Sequence, residues 1–503
     1  MEGHLNRDSI GVEPSVSSDD AVVAVQPLPM DDRRVSSWWL VVAVGAAILV
    51  CTGGPSFYVG QRLISPPGNW QSWMYLYPFG AVGLAGIIGV GRRLCGLSIR
   101  RWPWPIFAIG AFVAFSLLSA LWSVSASITP TAAMIGIGIA AFGCWFGWCL
   151  CVDDQIWSVV IATAAASITS ALAIRFRPTF GKMYAEFGSV DQPGFKLPWQ
   201  GIFGNRNSLA PVCVLGIIGL VGLVARRPSL HRVLLSIPLA ILHIVLLDHS
   251  GGLTSTLALG LVGITAIAVP ALRLVKRLGV PGLVVALAVA IASVATWFVV
   301  FANLDRLSLR IGRNPTLDGR RPIWADVRSF IRVHPLRGYG YWGFWDRQDL
   351  TAETYARLGP YGSAHNSVLE VLLMLGLVGL VIYLIICGAA LLGPFVSSWR
   401  RPSVAAWWWS LLIVFLVAQN LTESFVLWHS YIWVLFVAAA LAPFGDMSLH
   451  QSVADPNVSL NSFLHENDSV DQTEPAQRPD VDDVWDSSAS SIAELLLAGD
   501  VDA

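Results

Sequence analysis

The stretch AHNSVLEVLLMLGLVGLVIYLIICGAALLGPF, Ala364 to Phe395, decides the fold class. After its polar start, residues 366–395 hold a single charged side chain, Glu370. A helix crosses a bilayer core with about 20 predominantly apolar residues, so this run spans one with length to spare. Eleven further apolar runs lie near 37–53, 74–91, 105–122, 131–151, 156–174, 207–225, 233–248, 253–270, 279–302, 404–421 and 427–444. The reading is an all-α polytopic membrane protein of about twelve transmembrane helices, with a large outer-face loop carrying short amphipathic helices. The composition agrees: 13% of residues are charged, against about a quarter in soluble domains. The 22 tryptophans include Trp38-Trp39, Trp70, Trp73, Trp102, Trp104 and Trp407-Trp408-Trp409, places that suit membrane-interface belts.

Arg and Lys in short loops set the orientation. With the N-terminus in the cytoplasm, the inner loops carry Arg92, Arg93, Arg100, Arg101, Arg226, Arg227, Arg232, Arg273, Lys276, Arg277, Arg400 and Arg401. The short outer loops 123–130, 249–252 and 422–426 carry neither residue. Both termini are therefore expected in the cytoplasm, as tails 1–36 and 446–503 around a transmembrane domain 37–445. The polar, acidic 1–36 argues against a cleavable signal peptide. Residues 446–503 hold 13 acids against Arg478 alone, a composition expected to be disordered.

Two long loops fall on the outer face, 175–206 and 303–365. The stretch 301–365 holds ten arginines, six acids and no lysine. Arginine on the outer side runs against the usual bias, so anion binding is the natural reason for it. The planar guanidinium fork matches phosphate oxygens in a way an ammonium does not. Asp318-Gly319-Arg320-Arg321-Pro322 reads as a helix start, since proline favours the first turn. From there Ile323, Trp324, Val327, Phe330 and Ile331 form an apolar stripe, with Arg321, Arg328 and Arg332 on a common face. That is a basic amphipathic helix at a membrane surface. Its exposed arginines suit lipid phosphates, whereas Arg320 lies off the stripe and is better placed to project into a cavity. Tyr339, in Gly338-Tyr339-Gly340-Tyr341-Trp342-Gly343-Phe344-Trp345, belongs to a run whose aromatic faces suit sugar stacking and the interface equally.

His365 closes the cationic loop. Its ordinary pKa near 6.5 lets it accept a proton at neutral pH. Asn366 and Glu370 share a helix face beyond it, and Glu370 inside an apolar run is a functional-site candidate. A direct His365–Glu370 pair is left open by the spacing. Other polar groups in or beside the spans are His243, Asp248, His249, Gln419, Asn420 and Glu423. The sequence shows no phosphate-binding glycine loop, no nucleophile elbow, no zinc-ligand pair on a helix and no paired acids at an outer helix end. No metal or cofactor is expected.

Across roughly 105–440 the order of segments resembles the O-antigen ligase family and its polymerase relatives. The matching pieces are Leu121-Trp122-Ser123, Gly201–Ala210, Ser250–Leu261, Leu317–Trp324, His334–Gly340, His365–Glu370 and Gly376–Gly379. The resemblance implies a metal-independent, inverting glycosyltransferase of the cytoplasmic (inner) membrane. Its partners would be a polyprenyl-pyrophosphate-linked glycan donor, a glycan or glycolipid acceptor and membrane lipids. It implies His365 as the base for the acceptor hydroxyl, and Arg206 and Arg320 as pyrophosphate ligands. The Arg320-Arg321 doublet leaves open which of the two binds. Asn366, Glu370 and Tyr339 complete the candidate substrate-binding set. Ser250-Gly251-Gly252 departs from the arginine-containing stretch common in the family. A repeat-unit polymerase shares these motifs. A transporter of a lipid-linked glycan or small anion is the other alternative, but it would place polar groups at mid-bilayer on broken helices, whereas most here lie at helix ends.

Overall fold

A computed structural model describes residues 38–53, 70–182, 197–277, 303, 320–346, 362–424 and 430–453. The expected ninth span, the tail 1–36, residues 183–196 and, of the expected outer loop 303–365, residues 304–319 and 347–361 fall outside the described residues. Residues 1–445 form one compact unit and 446–503 another, of which the end of the last helix is described.

In hydrocarbon no water satisfies the backbone, so each crossing segment must bond internally. The described apolar runs are accordingly helices: α1 Trp38–Cys51, α2 Trp70–Cys95, α3 Pro105–Leu118, α4 Ile128–Cys149, α5 Val152–Phe176 and α6 Arg206–Arg226. They continue as α7 Leu230–Ser250, α8 Leu253–Arg277, α9 Arg320–Val333, α10 Ser367–Arg400, α11 Val404–Asn420 and α12 Tyr431–Val453. Six of these (α4 to α8 and α10) are long and apolar enough to cross a membrane, and α1, α3, α11 and the start of α12 are shorter apolar helices.

The core lies among α4, α6, α11 and α12, where Phe142, Phe146, Leu215, Trp408, Phe415 and Phe436 are fully buried. Around it the helices turn apolar side chains outward. The apolar window of α7 is only 17% buried against 72% for α6, and Leu234, Ile237, Ile241 and Ile244 are exposed. An outward face of this kind on a long apolar helix has lipid as its natural solvent. The chain is a multi-pass membrane protein.

Contacts define two ends of the bundle. At one, Arg226 and Arg227 at the end of α6 meet Asp153 at the start of α5, at 3.0 and 3.4 Å. At the other gather the turn after α3, the start of α6, the α7–α8 elbow, the start of α10 and the end of α11. There Trp122 Nε1 donates to the Arg337 carbonyl at 3.0 Å, and Thr422 Oγ1 donates to Thr254 Oγ1 at 2.9 Å.

The run that decides the fold class is not one uninterrupted helix. Asn366 caps α10, its side chain accepting from Leu369 N at 3.0 Å, and the helix breaks at Gly376, φ 64° and ψ −161°. The loop after α9 fills the break. Leu377 N donates to the Pro335 carbonyl at 2.8 Å and Val378 N to Leu336 at 3.3 Å. In return Tyr339 N donates to Leu373 at 3.0 Å and Gly340 N to Met374 at 2.9 Å. A Cβ on Gly376 would stand 2.3 Å from the Leu336 carbonyl carbon, and one on Gly338 2.4 Å from that of Met374. Both glycines are needed for backbone to approach backbone in left-handed conformations. The break anchors the outer loop to the helix that follows His365.

Candidate active site

α9 is helical from Arg320, with Pro322 in its first turn. Ile323, Trp324 and Val327 are buried, while Arg321, Arg328 and Arg332 are exposed. The apolar stripe packs with Tyr339, Phe344, Ala364 and Leu373 into a small core of its own. Seated there, α9 brings Arg320, whose side chain is 13% exposed, to the turn after α11.

That turn supplies a residue that sequence reading did not place in the site. Glu423 is 4% exposed. Its Oε1 accepts from the Arg320 guanidinium, and its Oε2 lies 2.7 Å from His365 Nδ1. Burial opposes charge on this carboxyl, but Arg320 and the His365 hydrogen bond outweigh it and hold its pKa below the ordinary 4.5. An ionised carboxylate only accepts, so the shared proton belongs to His365 Nδ1. In the neutral ring this makes Nε2 the basic nitrogen. An acid that orients a histidine, which in turn can take a substrate proton, is the arrangement general-base chemistry needs.

The backbone at His365 is strained, with φ 48°. The neighbouring peptides are held in place: Asn366 N donates to Ser424 Oγ at 2.9 Å, and the Ala364 carbonyl accepts from Trp324 Nε1 at 2.9 Å. Asn366 Nδ2 reaches the Leu421 carbonyl at 2.9 Å, and Ser367 Oγ donates to Asn420 Oδ1 at 2.9 Å. The first turn of α10 is thereby tied to the end of α11, which places Glu423 beside His365.

Three candidates for substrate contact have other work in the structure. Glu370 is fully buried; it accepts from Ala364 N and Trp345 Nε1, both at 2.5 Å. The imidazole instead pairs with Glu423, because the left-handed turn at 365 swings the ring toward α11. Tyr339 is 4% exposed, edge-on to Phe330, His334 and Phe344, and its hydroxyl donates to the Phe330 carbonyl at 3.1 Å. The ring is part of the small core between α9 and the loop that follows it. Asn366 spends its side chain on the α10 cap and on Leu421.

The arginine doublet divides, Arg320 turning inward to Glu423 and Arg321 outward. Arg206 is the first residue of α6, half-buried, with Asn205 Oδ1 accepting from Asn207 N at 2.8 Å. One turn on, Ala210 abuts the α7–α8 elbow, where a Cβ on Gly252 would stand 2.4 Å from its own Cβ. The elbow in turn meets Thr422 through Thr254. Arg206 thus belongs to the same rim as Glu423.

Residues 238–384 match the family model described as O-antigen ligase. Over this stretch, less than a third of the chain, the sequence is similar to the O-antigen ligase family. No curated protein matches the chain. The O-antigen ligase match takes in α8, α9, His365 and the break at Gly376. It ends before Glu423 and begins after Arg206, so two residues of the rim lie outside it. A sequence signal for Glu423 did exist: an acid closing Gln419-Asn420-Leu421-Thr422-Glu423 at the end of an apolar span is costly to keep near a membrane. What it lacked was any sign of its partner, 58 residues away.

Proposed function

We propose that the chain is a membrane glycosyltransferase. It would transfer a glycan from a polyprenyl pyrophosphate to an acceptor hydroxyl at the outer face of the cytoplasmic membrane. The observation that carries this reading is the single carboxylate of Glu423 gripping His365 and Arg320, both within the stretch similar to the O-antigen ligase family. The acceptor O–H gives its proton to His365 Nε2 while its oxygen bonds the anomeric carbon. The bond from that carbon to the pyrophosphate oxygen breaks, and the electron pair leaves with the pyrophosphate. Charge grows on the leaving group, where fixed guanidinium groups lower the barrier. Arg320, its plane set by Glu423, and Arg206 on the same rim supply them. One displacement inverts the anomeric centre. The imidazolium that forms lies against Glu423, which stabilises it.

With both termini in the cytoplasm this rim would lie outside, and the arginine distribution of the short loops supports that orientation. A lipid donor held in the bilayer explains why the base stands where a spanning helix starts. Ligase and polymerase share this chemistry and differ in the acceptor. The break in α10 does not favour a transporter, because the loop after α9 occupies its backbone groups. The test is His365→Ala in a glycan-transfer assay with purified protein in lipid nanodiscs. Transfer is expected to fall by about 10²–10⁴-fold, with insertion and donor binding retained; wild-type turnover would end the proposal.

A further inference from the structure

Glu370 is a carboxylate buried in an apolar helix, and the transfer step above does not use it. Its two oxygens divide between two N–H donors, one buried and one half-buried, and the Ser424 side chain is a further hydrogen-bond partner. Oε2 takes Ala364 N and Oε1 takes Trp345 Nε1, both at 2.5 Å. Ala364 is the residue before the base, and its carbonyl is held from the other side by Trp324 Nε1 at 2.9 Å. Asn366 N, just past the base, is held by Ser424 Oγ at 2.9 Å. His365 between them has φ 48°, a conformation that side chains avoid unless their surroundings impose it. Glu370 thus fastens one of the peptides that impose it, and links it to the aromatic loop through Trp345.

We propose that Glu370 is a positioning residue for His365. It holds the preceding peptide so that the imidazole meets Glu423, and it does not touch substrate. The inference rests on the reading of His365 as base. Removing the carboxylate leaves the buried Ala364 N–H and the half-buried Trp345 N–H without their acceptor and lets residue 365 relax toward a right-handed conformation, which withdraws the ring from Glu423. The rate should then suffer while donor binding does not.

The experiment uses the full chain in nanodiscs. It measures kcat for transfer, the affinity for polyprenyl pyrophosphate as probe, and thermal stability. A misplaced catalytic group costs about 10²-fold when it moves by an ångström, so Glu370→Ala is expected to lower kcat by about 10–100-fold and probe affinity by less than about twofold. Glu370→Asp should recover part of the loss. Trp345→Phe removes one of the two N–H donors and keeps the carboxylate; a loss of about 3–10-fold in kcat at unchanged melting temperature is expected. It also decides the matter should Glu370→Ala fail to fold. If probe affinity falls in step with kcat, the carboxylate belongs to the substrate site and the inference is wrong. If His365→Ala is inactive while Trp345→Phe and Glu370→Ala turn over at the wild-type rate, the positioning role fails and the base survives. If His365→Ala is itself active, the reading of the base fails first.

Discussion

The two ends of the helix bundle each carry one carboxylate between two basic side chains, and they differ in how exposed those side chains are and in the identity of one of them. Asp153 holds Arg226 and Arg227, whose side chains are 40% and 42% exposed. Glu423 holds Arg320 and His365, whose side chains are 13% and 17% exposed. Water reaches the two arginines of the first cluster, although Asp153 itself is buried, and pairs so screened contribute about 0–1 kcal/mol. This cluster clips the end of α6 to the start of α5. The second is drier, and one of its basic groups is an imidazole, the side chain most often used in general acid–base chemistry. The same arrangement of one carboxylate and two basic groups is thus a fastening at one end and, on the proposed function, an oriented base at the other.

The largest expected effect comes from deleting the acid at the drier end. Glu423→Ala removes the orienting partner of His365 and leaves Arg320 buried without its counter-charge, a change that costs about 3–5 kcal/mol when a buried pair is broken. Transfer should fall by about 10²–10⁴-fold and the melting temperature should drop. An active, equally stable variant would make the two clusters equivalent and break the comparison.

Acid should separate the clusters next. The carboxyl of Glu423 titrates below its ordinary 4.5, burial opposing and Arg320 with His365 prevailing. A depressed carboxylate contributes stability that is full above the unfolded-state value and is lost as pH falls through the folded-state value. Thermal stability of the detergent-solubilised wild type should therefore decline below about pH 4.5, and Glu423→Gln should remove that part of the slope. A slope unchanged in the glutamine variant would mean that other carboxyls carry it.

The smallest effect belongs to the exposed end. Asp153→Asn should change stability by less than about 1 kcal/mol and leave turnover unaltered, measured in the same transfer assay. A large loss of turnover there would show that the far end shares in the chemistry.

Much of the chain was legible because membranes impose simple rules. Long apolar runs must be helices, and the apolar stripe of 320–333 fixes which face of α9 is buried, which in turn sends Arg320 inward and Arg321 outward. The motif glycines were visible as well, but not their purpose: Gly338 and Gly376 are 38 residues apart, and that they meet follows from loop docking. Tyr339 and Glu370 looked like groups for a substrate because an aromatic or an acid near a membrane surface has few other evident uses. Their actual partners, Phe330, Phe344, Ala364 and Trp345, are contacts no periodicity reveals.

The sequence by itself determined that the chain crosses a membrane many times, and that cationic segments and one histidine gather where a long helix begins. These follow from local hydrophobicity and charge, which depend on neighbours along the chain. Only the tertiary structure decided that Glu423, and not Glu370, faces the imidazole. That choice depends on a left-handed turn at residue 365 and on the packing of α10 against α11, and neither is encoded within the reach of a single helix.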